Sequence, residues 1–238
     1  MSVTGNPHAD TRAMYTVHTM FRRELALLPA LVGSVPSGDG ERAQVVADHI
    51  KLLCGMLHHH HSAEDVFLWP LLLARAPKEI DPVVQLAEGH HQALDDLLTE
   101  AGKRLETWRH SVAGEDGAAL ALTLRRLVVQ AFEHMGLEER LVLPVVERHI
   151  FATEWAAMEE HALGAYSPDE AVLLVGMVMY EESIESIGAT FPAEVVELAP
   201  QVYAAYCERV QGIAAPPRST ELGIGTPLVG VVSEMVAG

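Results

Sequence analysis

The sequence predicts an all-α protein: an up-down-up-down four-helix bundle with additional C-terminal helices. Three observations carry this. Gly and Pro fall in clusters, and long segments of helical apolar periodicity lie between them. Each of the first four segments is long enough to span a bundle. Runs of β-branched residues bounded by hairpin turns are absent, which argues against strands.

The first segment runs from about Asp10 to Leu31 and holds His18. "VGSVPSGDG" is a loop, and the second segment runs from about Glu41 to Ala74. "RAPKEIDP" reads as the next break, followed by a third helix from about Val83 to Arg109. "SVAGEDG" precedes a fourth, from about Ala118 to Ile150. Residues 10–150 are thus expected to form the bundle and 151–213 a helical extension packed on it. In the extension, "TEWAAMEEHALGAY" reads as a short helix. "SPDEAVLLVGMVMYEES" starts a second, with Ser167 as N-cap, Pro168 in the first turn and Glu170 three residues after the cap. "AEVVELAPQVYAAYCERVQG" is a third helical stretch, expected to be interrupted near Pro200. Residues 214–238 form a tail rich in Gly and Pro.

Composition narrows the function. The 238 residues are 49% hydrophobic, enough for a substantial core. A formal charge of −17 repels nucleic acid and anionic membrane surfaces, so neither is an expected partner. The surplus of carboxylates, together with 13 His, suits a buried cation. Cys54 and Cys207 make neither a disulfide framework nor a zinc motif. "MSVTGNPHADTR" has no apolar signal core and no apolar run reaches spanning length, so a soluble, cytoplasmic protein is expected.

An internal repeat carries the chemistry. "HHSAEDVFLWP" begins at His60 and "HMGLEERLVLP" at His134. His60, Glu64, Asp65 and Pro70 match His134, Glu138, Glu139 and Pro144. On a helix, residues i and i+4 share a face, so an imidazole and a carboxylate at this spacing can grip one metal, or the carboxylate can bridge to a second. One such pair is commonly a surface ion pair. Two in register, each among apolar neighbours, point to a metal site. Imidazole suits iron, copper, nickel and zinc, and bridging carboxylates favour iron or manganese pairs.

Four consecutive histidines, His58 to His61, open the first repeat. With His60 at zero on a wheel of about 100° per residue, Glu64 falls near ~40°, His61 near ~100° and Asp65 near ~140°. His59 falls opposite and His58 at the edge. His60, Glu64 and His61 therefore face inward. The same wheel sets His134, Glu138, Met135, Ala131, Leu141 and Val145 on one face, with Glu139 at its edge. His61 thus corresponds to Met135, so an extra ligand would serve only one of two metals. His18 sits among apolar residues in the first helix. In the third, His91 shares a face with Leu94 and Leu98 and is preferred to His90. Asp95 is either its outer hydrogen-bond partner or part of a solvated acidic face with Asp96, the latter being favoured. Tyr15 reads as an ordinary tyrosine sooner than a ligand, and Cys54 as a buried small hydrophobe.

These pieces resemble the hemerythrin-like, or HHE cation-binding, family: His18 in the first helix, "HxxxED…P" in the second, "EGHHQAL" in the third and "HxxxEE…P" in the fourth, covering residues 10 to 150. "TEWAAM … YAAYCERVQG" resembles the C-terminal extension of longer actinobacterial members. The resemblance implies a non-haem di-iron centre, two iron ions joined by an oxo or hydroxo bridge, with His18, His60, Glu64, His91, His134 and Glu138 as ligands. Oxygen carriers of the family use five His and two bridging carboxylates, with a second third-helix His where this chain has Asp95. His61 would restore the count. In those carriers the fourth-helix carboxylate lies five residues after the His, which makes Glu139 the alternative to Glu138.

The first functional expectation is a di-iron protein that binds or reacts with O2, peroxide or NO, as a sensor, scavenger or store. The second is a di-iron oxygenase or oxidase of a small organic substrate, its pocket shaped by the C-terminal helices and the Met-rich "VGMVMYEES". A ferritin-like di-iron oxidase would need Glu-x-x-His from two helices, and Glu88 with His91 supplies only one. A third expectation, an interaction module merely stapled by metal, has no specific support in the chain.

Overall fold

The structure is a computed structural model that describes residues 6–182, 191–213 and 216–223. The first four segments form the bundle. Helix α1 spans Arg12–Gly33. Helix α2 spans Gly40–Ala63, passes through a wide π turn at Glu64–Leu68, and continues as α3, Trp69–Arg75. Helix α4 spans Pro77–Ser111. Helix α5 spans Gly114–Leu137, passes through a second π turn at Glu138–Val142, and continues as α6, Leu143–His149. Short connections force consecutive helices antiparallel, and α1 closes the ring by packing on both α2 and α5. Among the described residues there is no strand, only an isolated bridge between His8 and Phe151.

Three sequence expectations change. The third helix starts at Pro77, six residues earlier than expected. Pro77 sits at the first turn, where no N–H is needed, and Pro82 forfeits a single ladder bond close to the helix start. The last helix, α9 (Ala193–Gln211), runs through Pro200 without a break. Leu141 does not share the inward face; it is 46% exposed.

The two π turns explain Leu141. Each lies just before the repeat's proline. Trp69 N–H bonds to the Glu64 carbonyl, and Leu143 N–H to that of Glu138, five residues back instead of four. A proline at 70 or 144 has no N–H, and its ring collides with the carbonyl four residues earlier. Widening the preceding turn by one residue relieves that collision. It also takes the residues of the turn itself out of a 3.6-residue register, so Leu141 swings outward, while Val145 in the helix beyond is buried as the wheel expects. Val66, the counterpart of Arg140, is likewise 58% exposed.

The buried apolar residues form two separate clusters. One gathers Met20 to Val32, Ala43 to Leu57, Leu94 to Val112 and Leu120 to Met135, together with residues of the extension. The other gathers Met14, Ala63 to Leu72, Ile80 to Ala87 and Leu137 to Ile150, with Trp155 and Met158. On every helix the gap between them falls at the predicted metal residues.

Beyond the bundle lie α7 (Ala152–Gly164), α8 (Pro168–Met179) and α9. Ser167 caps α8 as expected, in a capping box with Glu170. Gly176 lets α8 meet α9 closely, since a Cβ there would lie 2.4 Å from the Ala199 carbonyl oxygen. A buried Arg23 ties the extension to α1: it donates to Glu24, to Glu181 and to the Met177 carbonyl, and Tyr203 donates to Glu24 at 2.5 Å. No single described helix is long and apolar enough to cross a membrane. Much of the 214–238 tail lies outside the described residues.

Candidate metal centre

The four helices bring all seven predicted residues together between the two apolar clusters. His61, His91 and His134 form one group; His18, His60, Glu64 and Glu138 form another; and Glu64, His91, His134 and Glu138 form a third that overlaps both. Within each group the ligand atoms lie within 4.8 Å of one another. All seven are buried except His60, which is half-buried.

The two carboxylates sit between two sets of imidazoles. Glu64 turns Oε1 to His60 Nε2 at 3.5 Å and Oε2 to His91 Nε2 at 3.6 Å. Glu138 turns Oε1 to His134 Nε2 at 3.5 Å and Oε2 to His18 Nε2 at 3.5 Å. Each glutamate therefore offers one oxygen to a two-histidine set, His18 and His60, and the other to a three-histidine set, His61, His91 and His134.

The repeat's second carboxylates act from outside. His18 Nδ1–H donates to Glu139 at 3.0 Å, and His91 Nδ1–H to Asp65 at 2.7 Å. Donation through Nδ1 leaves each Nε2 lone pair aimed at the centre, the arrangement that orients metal-binding histidines. Arg22 donates to Glu139 at 2.7 Å and Trp69 Nε1–H to Asp65 at 2.8 Å. Arg22 and Trp69 were not singled out from the sequence. The signal for their partners was present: both repeats carry the extra acid at the same offset.

Electrostatics without a cation are unfavourable. Burial lowers His18, and lowers His60, His61 and His134 well below the ordinary imidazole range, so these rings are neutral. Burial, reinforced by the neighbouring Glu138, raises Glu64 well above the carboxylate range, and burial raises Glu138 too. Burial also works against Glu139, but hydrogen bonds from His18 and Arg22 outweigh it and hold that carboxyl below its usual value. Both ring nitrogens of His61, both carboxylate oxygens of Glu138 and Oε2 of Glu64 are buried without a hydrogen-bond partner. Orphaned buried donors and acceptors on this scale are costly. Neutral imidazoles and paired carboxylates are the donor set that divalent iron or manganese takes, so these residues fit a bound cation pair.

The remaining sequence alternatives fall outside the cluster. His58 and His59 are exposed, and Asp95 contacts His58 at 3.3 Å instead of His91. Glu88 is exposed, which removes the ferritin-like Glu-x-x-His pair. Glu138, not Glu139, belongs to the inner group. Tyr15 donates to the Glu139 backbone carbonyl at 3.3 Å. Burial pushes the Cys54 thiol up to about 12, as suits a packed small hydrophobe.

A sequence model of the hemerythrin HHE cation-binding domain matches residues 9–152. No curated protein and no solved structure matches the chain.

Proposed function

Because the chain belongs to the hemerythrin HHE cation-binding family, we propose that it is a non-haem di-iron protein that binds or reacts with O2, peroxide or NO, as a sensor, scavenger or store. The observation that carries this reading is the pair of glutamates, each with one oxygen toward either histidine set. Two ferrous ions held there would supply the two electrons that O2 or peroxide takes up. The residues do the rest. Glu64 and Glu138 span the two sets, and their charges offset the cations. Asp65 and Glu139 fix the tautomer and tilt of His91 and His18. The apolar clusters on either side exclude water.

The sets are unequal, with three imidazoles against two. His61 makes the total five histidines and two carboxylates, so its position compensates for the Asp95 that interrupts the third helix's pattern. The smaller set, His18 and His60, would supply fewer protein donors, and a small ligand would be taken up on that side. A second reading, an oxidase or oxygenase of an organic substrate, is favoured by one observation, an apolar cavity against His60.

Metal analysis of the purified protein with an anaerobic O2 titration tests the proposal. The expectation is two irons per chain and an oxo-to-iron charge-transfer band after oxidation. A chain with no iron, or with one tightly bound zinc, overturns it. A stable, reversible oxygen adduct favours carriage or sensing, and rapid oxidation with turnover of an organic compound favours the second reading.

A further inference from the structure

A cavity of about 420 Å³ lies between the bundle and the C-terminal extension. From the bundle it is lined by Val17, Phe21 and Ala63, and from the extension by Trp155, Met158 and Val178, among others. Its inner wall includes His60 and Glu64. Trp155 and the residues after it lie beyond the matched domain, residues 9–152, so one wall of the cavity comes from outside that domain.

Three features set the cavity apart from a packing defect. Protein interiors are close-packed, with few voids larger than a water molecule; this one is nearly three times the ~150 Å³ that accommodates benzene. Helix α8 from Ala171 to Met179 has no charged residue on any face. Such a helix needs cover all round. One side meets α9 at Gly176, while Leu174, Val175 and Val178 face the cavity. Finally, the cavity's polar groups are few, and two already have partners: Glu159 accepts from Trp155 Nε1–H at 2.9 Å, and the Tyr166 hydroxyl lies 3.5 Å from the Met56 carbonyl. The other polar residues of the lining are His60 and Glu64, which form the wall toward the metal centre.

We propose that this cavity binds a neutral, mainly apolar organic molecule, of the size of one or two aromatic rings or an equivalent acyl chain, with one polar end against His60 and Glu64. The binding stands on the cavity alone; only the fate of the polar end rests on the di-iron reading. Among the described residues no Lys or Arg lines the cavity, so nothing in its walls would pair with an anionic ligand.

The test is a fluorescence titration of the full-length protein with N-phenyl-1-naphthylamine, with and without metal. Saturable binding of one probe per chain is expected, with energy transfer from tryptophan that falls in Trp155→Phe while binding remains, the residual transfer coming from Trp69 and Trp108. Ala162→Trp, which fills the cavity from α7, and Ala13→Phe, which fills it from α1, should each weaken binding at least tenfold while metal content stays constant. The proposal is overturned by absence of saturable binding to the wild-type protein, by unchanged transfer in Trp155→Phe, or by unchanged affinity in both filled variants that retain wild-type helicity. Probe binding by a protein that takes up no iron overturns the di-iron reading and leaves the cavity site standing.

Discussion

The two copies of the repeat use one spacing for unequal ends. In α2 and the turn after it, His60, His61 and Glu64 face the centre, and Asp65 grips His91 from a position whose side chain is 47% exposed. In α5 and its turn, His134 and Glu138 face the centre, Met135 joins the apolar core, and Glu139 grips His18 with a side chain only 2% exposed, backed by Arg22. The glutamates are equivalent; the residues beside them are not. The repeat therefore places a glutamate between the two histidine sets twice, and the residues around it differ in identity and in burial.

The comparison can be broken at its common part first. Glu64→Ala and Glu138→Ala should each abolish binding of both ions, because each glutamate serves both histidine sets; metal analysis checks this, and full occupancy in both variants would remove the bridging assignment. His61→Met, which copies Met135 into the first repeat, should lower metal content selectively, with one ion retained and the charge-transfer spectrum altered. If it loses both ions or neither, the division into three and two histidines is wrong. The outer carboxylates come next. Asp65→Asn and Glu139→Gln should weaken metal binding by about 10–100-fold, as read by chelator competition. Glu139→Gln should have the larger effect, since it also leaves the mostly buried Arg22 without its charged partner. Equal losses would mean that burial of the outer acid is irrelevant. Smallest of all, Pro70→Ala and Pro144→Ala should shift stability by no more than about 1 kcal/mol in chemical denaturation and keep the metal. Loss of metal in either would show that the wide turn set by the proline is required to place the glutamate.

Much of this was legible before the structure. The seven inner residues follow from the repeat, the wheel and the family resemblance, because i,i+4 spacing is local geometry that survives any packing. What was missed has a local cause in each case. Leu141 was assigned to the inward face because a wheel assumes 3.6 residues per turn, and the turn before Pro144 is wider. Pro200 and Pro82 were read as breaks, but each removes one ladder bond from a helix whose packing outweighs it. Asp95 lies on a solvated face, the reading favoured from the sequence, but the sequence does not point to the partner that His91 does have, Asp65 on the neighbouring helix. Contacts between helices depend on rotation and height, which periodicity does not encode. The buried Arg23 network joining α1 to the extension escaped for the same reason.

The gap between the two apolar clusters has a consequence for how the chain holds itself together. Helix bundles ordinarily loosen from their ends, where hydrogen bonds and packing run out. Here each long helix is well packed on both sides of its middle and crosses, at the middle, a slab of neutral imidazoles and buried carboxyl groups without hydrogen-bond partners. Without a cation the weakest layer is therefore internal. Amide exchange in the metal-free protein should be fastest at His60–Glu64 and His134–Glu138 relative to the flanking turns, and the two halves should lose their mutual dependence before either melts. A bound ion pair would then act as a rivet through four helices at once, making one cooperative unit out of two stacked ones.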